Sequence, residues 1–375
     1  MRYNTNLLTR KLILLYFCLS VASLNAQNFV HPGILHTQES LDRIREMVGV
    51  GKEPWKSAFA LLRSYPQASA SYKMRGPFDR VSRDPKMGLH KAEVDDDCNA
   101  VYYNAIMWVA TGDSAHARKA VEILNAYSYT LKAILPRDAE LLAGLNGDQF
   151  VNGAEILRYT YKDWEAKDIV QCEKMFRDIF YPVVKDFAEF ANGNWGSACV
   201  KMTMAVGVFC NDREIFQKGA NYYLHGKGNG SLPNYIINEQ GQCQESGRDQ
   251  QHAQLGIGNL AEAAEIAWNQ GIDLYGAYHN RLLKGLEYTA RYNLGEEVSF
   301  APYIDKTGHY KHEHISTEGR GVFRPIYEMP LNHYKKQKDL DTSFLQKVIN
   351  KTRPESAGPR PYDQPGFGTL LFATE

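Results

Sequence analysis

The sequence has little that would build a disulfide-stapled, zinc-binding or nucleic-acid-binding protein. Its six cysteines are spread over 375 residues and no two form a CxxC pair, which excludes a zinc knuckle. The five beyond residue 26 (Cys98, Cys172, Cys199, Cys210 and Cys243) are an odd, scattered set, unlike a disulfide framework. Cys199 and Cys210 sit in apolar helical context and read as core residues. Charge excess is missing too, with 43 Lys and Arg against 43 Asp and Glu. A balanced chain carries no basic footprint for nucleic acid, so any polyanion must be held by a local group of Arg and His. Strand-like alternation is weak throughout. The longest apolar run, "LILLYFCLSVASL", is too short for a comfortable membrane span.

That run follows Arg10 and Lys11 and precedes a small residue before Gln27, the pattern of a secretion signal over residues 1–26. Cys18 follows Phe17, a poor context for lipid attachment. Losing the signal removes three basic residues and no acid, leaving 40 basic against 43 acidic. The expectation is a monomeric protein, periplasmic or secreted, whose mature part, 27–375, forms a single domain without a membrane span.

What the chain does have is helix. Hydrophobic residues make up 44% and charged residues 23%, an ordinary globular balance. One plan recurs: an apolar helix, a short polar turn, then an amphipathic helix. It runs through 104–127 with a Thr-Gly-Asp turn, 201–223 with Cys-Asn-Asp, 260–292 with Asn-Gln-Gly, and more loosely 153–180. Hairpins of this kind cannot bury an apolar face alone and must pack side by side. The fold class is therefore all-α, an (α/α) toroid whose loops build a cleft, with a helical solenoid as the alternative. Aromatics are generous at 12%, including 23 Tyr, a composition that suits hydroxylated ligands as well as helical cores.

Candidate chemistry gathers at helix starts. In "QESGRDQQHAQLG" five hydrogen-bonding side chains, Arg248 to His252, precede a plain buried helix. Ser246 and Asp249 resemble a capping box that would start the helix near Gly247. Arg248, His252 and Asn259 share one face, and Ile257, Leu260, Ala261, Ala264 and Trp268 form a separate packing stripe. Gly256 and Gly258 would admit a close backbone or ligand. A lone Arg or Asp there would be only a solvated helix end; Arg, Gln and His together favour a site. Asn194 is placed as an N-cap, followed by Trp195, and capping alone accounts for Asn at many such positions. Asn146 and Gln149 precede a third apolar helix. In the irregular stretch 293–330, Arg320, Arg324 and Tyr327 read as a carboxylate clamp beside a proton-transfer group, or as a plain surface network with a packed Tyr. His309, His312 and His314 lack the carboxylate or cysteine that would complete a metal set, so neither metal nor cofactor is expected.

At "NGNWGSA", "ESGRDQQHAQLGIGNLAEAAEIAWNQGIDLY" and "GRGVFRPIYE" the chain resembles the alginate lyase family of polysaccharide lyases, and the likeness covers most of the mature chain. The resemblance implies a toroid that cleaves 1,4-linked uronate polysaccharide, alginate or glucuronan, by β-elimination. In that reaction a base takes the C5 proton, an acid protonates O4, and hydrogen-bond donors stabilise the charge that develops on the carboxylate. It assigns Asn194 and His252 to neutralisation, with His252 also a candidate base. Tyr327 becomes the acid/base, with Arg320 lowering its pKa by proximity. Arg248, Gln251, Arg324 and Trp195 would hold the anionic sugar, joined by Asn146, Gln149 and Tyr303. The pattern departs from the family's Asn-His pair and its later Tyr-His pair: Trp195 follows Asn194, and no Tyr stands beside His252. Two rivals are a hydrolase using Asp95, Asp96, Asp97 and Glu245, and a glycan-binding protein without catalysis.

Overall fold

The computed structural model describes residues 28–84, 86–336 and 340–374, so the stretch read as a signal lies outside them. Helices dominate. After α1 (Gln38–Gly49) and α2 (Trp55–Arg63) come four hairpins in chain order. These are α3 (Lys91–Thr111) with α4 (Ser114–Thr130), then α5 (Gly147–Thr160) with α6 (Ala166–Met175). Next are α7 (Gly193–Phe209) with α8 (Arg213–His225), and α9 (Gln250–Asn269) with α10 (Ala277–Asn293). Shorter α11 (Glu328–Tyr334) and α12 (Ser343–Thr352) complete the set used below.

The hairpin turns follow from their residues. Gly112 (φ 71°) and Asn211 (φ 53°) close the incoming helices in the left-handed region, where Gly and Asn are tolerated best. Asp113 and Asp212 come next and cap the outgoing helices, accepting from Ala115 N and Ile215 N. Thr37 caps α1 in a box closed by Ser40. Where α7 crosses α8 the backbones nearly touch: a Cβ on Gly207 would lie 2.4 Å from Phe216 N, so only glycine fits.

The first helices of the hairpins run parallel, because their contacts climb together. Between α3 and α5 they pass from Asp95–Asn146 to Val101–Gly153. Between the π-helical lead-in Leu142–Asn146, with the α5 it feeds, and α7 they pass from Gly144–Ala198 to Gly147–Met202. Between α7 and α9 they pass from Asn194–Asn259 to Lys201–Glu262. The N-termini of all four therefore open at one end of an incomplete ring, the (α/α) toroid. Buried apolar side chains from Phe29 to Ala373 form one core around it. Inside the ring Lys201 sits between Asp148 (3.4 Å) and Glu262 (2.6 Å), all three buried. Burial raises the Glu262 carboxyl, Lys201 opposes the shift and Asp148 adds to it.

Among the described residues strand is confined to two pairs of two residues each: β1 (Arg80–Val81) parallel to β2 (Ala133–Ile134), and β3 (Tyr303–Ile304) antiparallel to β4 (Lys311–His312). Two expected helix starts are corrected. α7 is capped at Asn192, and Asn194 lies inside its first turn with its N–H donated to Glu245 Oε2 at 2.9 Å. α9 begins at Gln250 with Asp249 as cap, because Ser246 is held in the preceding turn by Cys243 N. Gly256 and Gly258 make room for side chains, the Tyr235 hydroxyl and Gln364, and not for a backbone. Trp268 leaves its packing stripe and is 45% exposed.

Candidate active site

The N-terminal end of α9 carries a connected set of charged groups. Asp249 accepts the backbone N–H of His252 at 2.8 Å and meets His252 Nδ1 at 2.5 Å. On the other side of the ring, Arg248 Nη2 lies 3.2 Å from Nε2. A guanidinium can only donate, so Nε2 is the acceptor and Nδ1 carries the proton shared with Asp249. Burial works against the Asp249 charge, yet the two hydrogen bonds from His252 and the nearby Arg248 charge hold its carboxyl down at about 2. The imidazole is thus fixed in one tautomer, with a basic nitrogen facing Arg248.

Arg248 also reaches Glu245 Oε1 at 2.8 Å, and the other oxygen of Glu245 accepts from Asn194 N. Glu245 is fully buried, which pushes its carboxyl up, while Arg248 and His252 pull it back. Through it the starts of α7 and α9 are tied together, so Asn194, Arg248 and His252 fall in one neighbourhood. Asn194 is 1% exposed and its Oδ1 has no protein partner, nor has Asn259 Oδ1. An orphaned buried amide costs about 1–3 kcal/mol unless something outside the protein satisfies it. Beside Asn194, Trp195 packs on Leu141, Leu145, Ala198 and Leu255 and meets Phe190 edge-on at 5.9 Å. It borders a groove of about 700 Å³ that Pro136, Arg137 and Pro182 also line.

A second cluster lies under the irregular segment that ends the chain. Arg324, 1% exposed, pairs with Asp363 at 3.0 Å, and Arg83 reaches the same carboxylate at 3.2 Å. Burial raises the Asp363 carboxyl, but the two guanidiniums outweigh it and hold the group low. Arg324 Nε and Nη2, Gln364 Nε2 and Gln149 Oε1 are buried without partners. Gln149 Nε2 makes only 3.5 Å approaches to Pro361 O and Gln364 O. Asn146 donates to Asp95, which also binds Lys91, and its own Oδ1 is unpartnered. Lys91 Nζ stands 4.1 Å over the ring of Tyr362.

Several expected residues do other work. Tyr327 is fully buried, and its hydroxyl donates to Gln254 Oε1 at 3.0 Å. Burial pushes its pKa far up, and Arg320 does not act on it. The Arg320 guanidinium is committed to Tyr292 O, Glu297 and Glu296 O and stacks 3.9 Å over Tyr292. The expected pairing of Tyr327 with Arg320 is therefore corrected: the backbone between them turns one inward and the other onto α10. Gln251 also departs from its sugar-binding role, since it donates to Val322 O at 2.7 Å. Gln250 donates to Ser316 O and Gln254 to Val322 O. Three glutamines thus latch 316–322 onto α9, which is why so polar a row begins a buried helix.

The β3–β4 hairpin sits over this latch. His312 packs on Gly247, where a Cβ would come within 2.3 Å, and half-buried Tyr303 pairs with His312 across the strands. Burial, and then Arg248, lower the His312 pKa. Among the described residues no three His, Cys, Asp or Glu groups are arranged to hold a metal. Sequence reasoning missed Arg83, Lys91, Tyr362, Asp363 and Gln364. The only hint was a Pro-rich tail carrying Tyr, Asp and Gln, "RPYDQPGF", which a compact domain would not leave unused.

The toroid carries an Arg, His and Asn cluster at its inner-helix N-termini, and the family its sequence matches places it among the polysaccharide lyases. The chain is a member of the alginate lyase family, whose model matches residues 54–300. Its structure is similar to that of alginate lyase A1-III from Sphingomonas species A1, with a TM-score of 0.63 at 14% identity over 89% of this chain and 95% of that one. An alginate lyase from Bacteroides ovatus gives 0.62 at 13% identity over 92% and 100%. A variant of A1-III complexed with a tetrasaccharide gives 0.61 at 17% over 89% and 94%. No curated protein sequence matches significantly. Among the described residues no helix is long and apolar enough to cross a membrane.

Proposed function

We propose that the protein cleaves a 1,4-linked uronan, alginate or glucuronan, by β-elimination, with His252 as the proton carrier and Asn194 and Arg248 as the groups that neutralise the uronate carboxylate. The observation that carries this reading is the Asp249–His252–Arg248 series beside Asn194. A substrate carboxylate would draw Arg248 away from Nε2, and the same event would free the base and cancel the charge that keeps the C5 proton weakly acidic. Held in its tautomer by Asp249, His252 takes the C5 proton at Nε2. On the same face of the sugar it then returns that proton to the leaving O4. Tyr303, on the hairpin above, is the second candidate for that acid step.

Trp195 offers a face for a neighbouring sugar, and Arg324 with Gln364, Asn146 and Gln149 offers unpaired groups to a further carboxylate or hydroxyl. A hydrolase is disfavoured by what holds the carboxylates. Glu245 is locked by Arg248 and Asn194, and Asp97 by Tyr72, Tyr127 and two backbone N–H groups. Asp95 is held by Lys91 and Asn146, and Asp96 by Gln67 and Arg75. The segment read as a secretion signal fits an exported monomer working on polymer outside the cytoplasm. Only elimination makes a conjugated, ultraviolet-absorbing sugar end. Purified enzyme incubated with mannuronan, guluronan, glucuronan and pectate should produce that absorbance on at least one of the first three. His252→Ala should lose it by about 10²–10⁴-fold. Reducing ends appearing without absorbance would instead identify a hydrolase.

A further inference from the structure

At the far end of the ring from His252, α9 finishes with Trp268 at the mouth of a pocket of about 280 Å³. That volume falls just under the range of about 300–1,000 Å³ used for drug-sized ligands, so it suits a single small ring. Trp268 is the one side chain in the α9 packing stripe that the fold leaves open, at 45% exposure among neighbours that are buried. His333 of α11 meets it edge-on at 4.7 Å and stacks on Tyr275 at 3.7 Å. His333 is 8% exposed, and its Nε2 has no protein partner. Arg43 of α1 lines the same pocket, and its Nε is likewise buried and unpaired. Asn332 and Ser40 add further polar groups to the wall.

We infer that this pocket is a second saccharide site, which takes one uronic acid residue with the apolar face of its ring on Trp268, its carboxylate toward Arg43 and a hydroxyl toward His333. A pyranose matches the lining because it combines an apolar C–H face with a rim of hydroxyls, and a half-open indole beside buried, unsatisfied polar atoms is complementary to both. The acidic sugar is preferred to a neutral one because of how Arg43 is balanced. Burial lifts the Glu265 carboxyl to about 7, against the pull of the Tyr275 hydroxyl, Lys336 and Arg43. Two cations, Arg43 and Lys336, line the pocket beside Glu39 and Glu265, and the lift on Glu265 weakens its share of the counter-charge that Arg43 draws from both carboxylates. The inference touches the proposed function only in the kind of sugar, since none of these residues belongs to the His252 end.

Saturation-transfer NMR and calorimetry with sodium glucuronate and with glucose test it on the full chain. Glucuronate should bind the wild type, and Trp268→Ala at least about tenfold more weakly. Arg43→Gln should erase the preference for glucuronate over glucose. Binding that survives Trp268→Ala unchanged, or equal binding of glucose to the wild type, would overturn the inference. Trp268 is partly exposed, so its alanine variant is expected to fold, and an unchanged melting temperature checks that. A protein that binds glucuronate here but releases no unsaturated product keeps this site and loses the lyase reading. The reverse result does the opposite.

Discussion

Asp249 holds His252 twice, through the backbone N–H at 2.8 Å and through Nδ1 at 2.5 Å. One carboxylate therefore starts the helix and orients the imidazole. Cap and tautomer cannot be separated by deleting the side chain, but they can be separated by changing its charge.

Asp249→Asn keeps the cap, because an amide oxygen still accepts the His252 N–H. It removes the acceptor that fixes the proton on Nδ1. Turnover on the preferred uronan should fall by about 10²–10⁴-fold while the variant still melts cooperatively, at a moderately lower temperature. Steady-state rates with a thermal melt check this, and near-full activity would dismiss the dyad.

The same carboxylate should shape acid stability. Its pKa in the folded protein, about 2, lies below the usual value near 4, so it stabilises the fold above that usual value. The contribution, about 2 kcal/mol, fades as pH drops from 4 toward 2. Melts of wild type and Asp249→Asn should differ most at neutral pH and converge near pH 2. A gap that widens with acid would contradict the assignment.

Tyr327→Phe is expected to keep most of its activity. The hydroxyl lost is a buried donor to Gln254 Oε1, an oxygen that also accepts Arg324 N. The cost should be about 1 kcal/mol of stability. A fall of 10²-fold or more in turnover with an unchanged melt would restore Tyr327 as a catalytic residue.

Lys201→Met should be among the most damaging changes. It strands Asp148 and Glu262, both buried, without their cation, and breaking such a pair from one side costs about 3–5 kcal/mol. Denaturant titration measures it. A loss under about 1 kcal/mol would mean that the two carboxyls accommodate each other by sharing a proton.

The hairpins were legible because turn chemistry and helix period are local. Gly112–Asp113 and Asn211–Asp212 state where one helix stops and the next starts. The site was only half legible. The grouping of Arg248, Asp249 and His252 could be read from spacing, and the Asp249–His252 bond is an i, i+3 contact. The partners of Gln250, Gln251 and Gln254 lie about seventy residues away in 316–327, and nothing in their spacing announces a latch. Tyr327 and Arg320 looked like partners because they are close in sequence, but burial separates them. Asp363 escaped notice because its meaning depends on Arg83, 280 residues earlier.

That last contact bears on when the fold is complete. Arg83 and Arg324 converge on Asp363, so this ion-pair cluster does not exist until the ribosome has passed residue 363 and the tail has folded back. A nascent or proteolytically shortened chain could complete all four hairpins, and even the His252 dyad, yet still lack this cluster. The cluster would then form in a single late step, after synthesis of nearly the whole polypeptide, and not by degrees as the ring closes.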